Sequence, residues 1–133
     1  MRYLAWLNAV PDTKKEGERS RRESFESAEL PIEFPECQAG YILNYLFELG
    51  LTLGDRALSH GEIESWQRNI GIQLHPFEVR FIKRLSETYL SASYEMKAVN
   101  AENPWEESPA YMSNKFLNAQ RVKASLRKAA GGE

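Results

Sequence analysis

Through most of the second half of this chain, apolar residues recur at intervals of three and four. That spacing places them on one face of an α-helix. The clearest run is Phe77, Phe81, Ile82, Leu85, Tyr89, Ala92, Met96 and Val99. It predicts the longest helix, opening at His75-Pro76 and closing before Asn103-Pro104. Proline suits the first helical position, where its missing N–H would have had no partner. Glu78 falls in the first turn, where the helix dipole favours an anion. Ile63, Trp66 and Ile70 form an earlier run, with Trp66 as a core residue. Ser59 and Glu62 precede it as a capping box, and Gly71 stops it. Another helix is predicted from near Gln38 through YILNYLFEL to Leu49, ended by Gly50. Its apolar residues surround nearly the whole circumference, so it is expected to be the central buried helix. A last helix is expected from Ser108-Pro109, with Met112, Phe116, Ala119, Val122 and Leu126 on one stripe.

The N-terminal third reads differently. Tyr3, Leu4, Trp6, Leu7 and Val10 make a short apolar element that Pro11 ends. Asp12 to Glu29 is almost wholly charged and polar, and so reads as a mobile linker or a solvated helix. LPIEFPE, Leu30 to Glu36, reads as an extended strap whose Leu30, Ile32 and Phe34 cover an apolar surface. The expectation is an all-α fold: a compact bundle of about four to five helices with an extended, mobile N-terminal segment. It divides into residues 1–36 (apolar element, charged linker and strap), a helical core domain over 37–107, and a basic C-terminal helix over 108–133.

Composition narrows the function classes. At 133 residues with 42% hydrophobic content, the chain has material for a real core. No apolar run approaches the roughly 20 residues that span a bilayer. The N-terminus has no small-residue cleavage site after its apolar patch, so no secretory leader is read there. The lone Cys37 has no partner for an internal disulfide, which suits a reducing compartment. The formal net charge of −2 argues against a dedicated nucleic-acid binder. Charge is uneven, however: Ser108 to Gly132 has no acid but carries Lys115, Arg121, Lys123, Arg127 and Lys128.

Reactive chemistry is poorly supported. His60 and His75 lack a second ligand at helical spacing, so neither suggests a zinc helix. Glu62 and Glu64 face different sides of their helix, and Glu106 and Glu107 are adjacent in a loop. Neither pair suggests the shared pocket that acid–base work needs. Cys37 is expected to be a buried, inert thiol. No serine sits in a nucleophile elbow. The chain is therefore read as non-enzymatic, with no cofactor and no metal. Arg21-Arg22-Glu23-Ser24 matches a basic kinase-substrate pattern, which short chance matches also produce. The pair around Gly71 has a helix-turn-helix layout. Yet the second helix opens with Pro76, Phe77, Glu78 and Val79, an acidic and apolar start that would repel phosphates.

Tryptophan and tyrosine join large contact area to a polar handle, and so favour interfaces. Trp6, Leu90, Tyr94, Trp105 and Tyr111 are the apolar candidates for protein binding. Arg121, Arg127 and Lys128 on the basic helix are the charged ones, for an acidic partner or as part of a detachable arm. Core packing and C-terminal capping are the competing roles for the same residues.

YLFELG at Tyr45–Gly50, LSHGEIESWQ at Leu58–Gln67, GIQLHPFEVRFIKRLSETYLSAS at Gly71–Ser93 and NPW at Asn103–Trp105 together resemble small tail assembly chaperones of long-tailed phages and prophages. The resemblance covers roughly half the chain. Phe77 stands where the family tends to have tryptophan. The resemblance implies a non-catalytic protein that binds the tape measure protein in the host cytoplasm. There it would keep the partner's hydrophobic helices soluble while tail subunits polymerise. Other phage tail proteins, or further copies of the chain, are compatible partners; nucleic acid and membrane are not expected. The alternative is a small phage regulator, binding DNA or a host protein through the helix-turn-helix-like pair and the basic helix.

Overall fold

In the computed structural model, which describes residues 1–13 and 17–131, a 20-residue helix is the element on which the others pack. The described helices are α1 (Arg2–Asn8), α2 (Arg21–Ser27), α3 (Gly40–Leu49), α4 (His60–Ile70), α5 (Pro76–Glu95) and α6 (Asn114–Gly131). No strand occurs among the described residues, only an isolated bridge between Leu53 and Arg56. The protein is all-α, as the apolar spacing predicted. No described helix is long and apolar enough to cross a membrane.

Helix α5 starts as its sequence requires. Pro76 takes the first position, and the Glu78 carboxylate accepts the His75 N–H at 2.9 Å. Its two halves serve two cores. Ile82 joins Ile42 and Leu46 of α3, Ile63 of α4, and Leu58 and Leu74 of the connections. One face further along, Ala92 and Met96 join Tyr3, Trp6 and Leu7 of α1, Phe25 of α2, and Met112 and Leu117. Buried Ser86 couples the α3–α4 connection to α5, accepting the Leu58 N–H at 2.9 Å and donating to the Leu51 carbonyl at 2.7 Å. Gly71 ends α4 in the left-handed region with φ 73°, where its N–H reaches the Gln67 carbonyl.

Several expectations need correction. The N-terminal apolar element is helical and packed, not part of an extended segment: Trp6 has no exposed surface, and α1 is a wall of the first core. Of the two forms expected for the charged segment, residues 21–27 take the helix, but not as a solvated one, because α2 buries Phe25 and Arg21. The Arg21 guanidinium lies 5.1 Å from the Trp6 ring centroid and donates to the carbonyls of Trp6, Met96 and Ala98. Burial first, and repulsion from Arg121 second, push its pKa down to about 10, so it stays charged at neutral pH. Those carbonyl bonds help explain why α5 ends at Glu95 rather than running on to Val99: the chain turns there to meet Arg21. The kinase-substrate pattern is folded away, with Arg21 buried and the Ser24 hydroxyl donating to the Ser20 carbonyl. Lys14 to Glu16, part of the predicted linker, lie outside the described residues.

Leu30 to Glu36 is neither helix nor strand; Leu30 and Ile32 pack on the first core as expected, whereas Phe34 stays 53 % exposed with its ring edge-on to Tyr3. Helix α3 is not central: it buries only Ile42 and Leu46 and leaves Tyr41 and Phe47 about half exposed. Helix α6 begins at Asn114, not Ser108. Ser108-Pro109 instead forms turns that Asn103 ties to Ser108 and to the Met112 carbonyl. Ser113, whose Oγ accepts the Phe116 N–H at 3.1 Å, provides the cap that Ser108 was expected to give.

Candidate functional site

The exposed face of α3 borders an apolar groove of about 830 Å³. Leu43 and Phe47 stand one turn apart on α3, and Phe81 and Leu85 stand one turn apart on α5. Leu4 of α1 and Phe34 of the strap complete the apolar wall. Phe34 is 53 % exposed, Phe47 52 % and Phe81 38 %. Single exposed apolar residues are ordinary, but three phenylalanines in one concavity form a contiguous surface, the kind that marks a binding site. Tyr3 borders the same groove; its hydroxyl donates to the Glu33 carbonyl at 2.6 Å, and burial pushes its pKa up to about 12.

Polar groups here are few. Asn8, Arg22, Glu36 and Cys37 are the polar side chains in the lining, along with Tyr3. Cys37 is a free, exposed thiol, not the buried one expected, because the strap carrying it lies on the surface. The lining is apolar enough to receive an apolar rod. His75 stacks on Phe77 at 5.8 Å between ring centroids, and His60 is exposed. Among the described residues, no three of His, Cys, Asp or Glu come together in a set able to hold a metal ion.

The residues singled out for protein binding do not form one site, although Arg121 and Arg127 line one shallow depression with Arg19 and Lys123. Trp6 is a core residue, its indole N–H donating to the Ala101 carbonyl at 2.9 Å, so it is withdrawn as a binding residue. Trp105 is half-buried edge-on against Tyr3, with ring centroids 5.3 Å apart, and Tyr111 donates to the Pro31 carbonyl at 2.9 Å. Both fasten the N-terminal segment to the α5–α6 connection. Leu90 is half-buried, while Tyr94 is exposed with the Lys97 ammonium 5.1 Å from its ring centroid. Arg121 pairs with Glu18 at 3.0 Å. Arg127 and Lys128 are exposed on α6, beyond Val122, which is itself 58 % exposed.

The groove residues escaped the sequence reading because Phe47 and Phe81 sit on runs that resemble core. One signal pointed to them: a helix apolar on every side, lying at the surface, must leave one side bare. Fold and groove together define a small all-α protein with an open apolar trough between α1, α3, α5 and the strap. Set against family models, curated proteins and solved structures, the chain matches none.

Proposed function

We propose that this protein is a non-enzymatic assembly factor that holds an apolar helical segment of another protein in the α1–α3–α5 groove. The observation that carries this reading is the set of half-exposed Phe34, Phe47 and Phe81 in one concavity. An amphipathic helix laid in such a groove buries its apolar row against these rings, the helix-in-groove mode of recognition. The resemblance to tail assembly chaperones suggests the partner, a tape measure protein, and the place of action, the host cytoplasm.

Co-expression with a tape measure fragment tests the proposal. The fragment should stay soluble with the wild-type chain and precipitate with Phe47→Asp, a variant expected to keep its fold because that ring is half exposed. The complex should persist in high salt, since apolar burial is little screened. Failure of the wild-type chain to rescue the fragment would sink the reading. The regulator reading draws on one observation, the exposed cations of distal α6. It predicts DNA binding that falls steeply with salt.

A further inference from the structure

The groove is apolar but carries one cationic side chain, Arg22, and that side chain is held in place. Arg22 Nε donates to Asn8 Oδ1 at 2.9 Å, and Asn8 Nδ2 in turn donates to the Tyr89 hydroxyl at 3.1 Å. The guanidinium carbon lies 5.8 Å from the Phe34 ring centroid. Tyr89 belongs to α5, Asn8 to α1 and Phe34 to the strap, so three elements fix one side chain. Both Nη groups make no hydrogen bond among the described residues, and no described carboxylate lies within ion-pair distance of them. Neighbouring Arg21 differs: its two Nη groups donate to three carbonyls and serve the fold.

With Nε occupied, the guanidinium keeps its end-on edge, Nη1 and Nη2, which matches the two oxygens of a carboxylate. The surrounding apolar walls lower the local dielectric, so a carboxylate meeting this edge gains more than it would at an open surface. Placement adds direction. Asn8, which holds Arg22, is at the C-terminal end of α1, whereas Met1 at the other end packs with Ala39 against the second core. The guanidinium therefore marks one end of the groove. Glu36 is the one acid in the lining, and it forms no ion pair with Arg22.

We propose that Arg22 sets the specificity of the groove, selecting an apolar helix that carries an aspartate or glutamate at the end meeting the Asn8–Arg22 pair. This rests on the groove being the binding site. An apolar row fills the trough, and the acid fixes direction and register.

Fluorescence anisotropy with the full chain tests the proposal. The probes are capped, labelled amphipathic peptides with leucines at i, i+3, i+4 and i+7 and one glutamate near either end, each paired with its glutamine counterpart. One glutamate peptide should bind about tenfold more tightly than its glutamine twin, the scale of a charge-assisted bond. Added salt should shrink that preference, Arg22→Gln should abolish it, and Arg22→Lys should retain part of it. Equal binding of the acid and amide peptides to the wild-type chain overturns the inference while leaving the groove reading intact. So does a preference that survives Arg22→Gln in a variant whose melting is unchanged. Binding of no peptide at all, or binding unaffected by Phe47→Asp, overturns the groove reading and this inference with it.

Discussion

Arg21 shows how a residue that reads as solvated can become structural. Its neighbours in sequence are polar or charged, and nothing local signals burial. Once α1, α2 and the end of α5 meet, its guanidinium is the donor for three carbonyls that those elements leave open. Its Nε remains without a partner. Arg21→Ala would orphan the carbonyls and leave a cavity beside Trp6, so a loss of about 3 kcal/mol or more is expected in urea unfolding. Tyr3 makes a pH-dependent contribution. Its pKa is pushed up to about 12 by burial. An unfolded tyrosine titrates near about 10, so between the two values the folded chain keeps a proton that the unfolded chain has lost. Stability present below the lower value is therefore lost as pH rises towards the upper one. Tyr3→Phe should make that alkaline loss shallower, as followed by circular dichroism.

Helix boundaries were legible where the signal is local. Gly71, Pro76 with Glu78, and Gly50 each act through the backbone within one turn, and α4 and α5 begin where their caps and proline put them. The α6 start was not legible, because Ser108-Pro109 and Ser113 offer similar local caps. The choice is made by Asn103 and by Asn114, whose side chain donates to the Val99 carbonyl at 2.9 Å. Such bonds span residues that only the fold brings together. Trp66 is a case of partial legibility. It lies on the predicted stripe and packs edge-on to Tyr45 at 5.3 Å, yet it is only half-buried. Full burial would make Trp66→Ala a loss of about 3–5 kcal/mol; half-burial lowers the expected loss to about 2 kcal/mol. Thermal melting with a calibrated transition entropy separates the two values.

At the scale of the molecule, two cores share one helix, and this decides what the N-terminal ten residues do. A segment docked late on a finished domain would be dispensable, and its removal would expose a surface without changing the transition. Here α1 supplies Tyr3, Ala5, Trp6 and Leu7 to the first core, where Phe25 of α2 and Leu117 of α6 add one residue each. The same segment gives the groove Leu4 and Asn8, so folding and the proposed binding draw on one element. A variant lacking residues 1–10 should therefore lose the near-ultraviolet signal of its packed aromatics and melt over a broad range. Helical signal would survive around Ile42, Leu46, Ile63 and Ile82, which form a separate cluster. A sharp transition at the wild-type midpoint would show that α1 is an appendage and that the second core alone sets stability. The same variant should fail to solubilise a groove-bound fragment, because one wall of the trough leaves with α1.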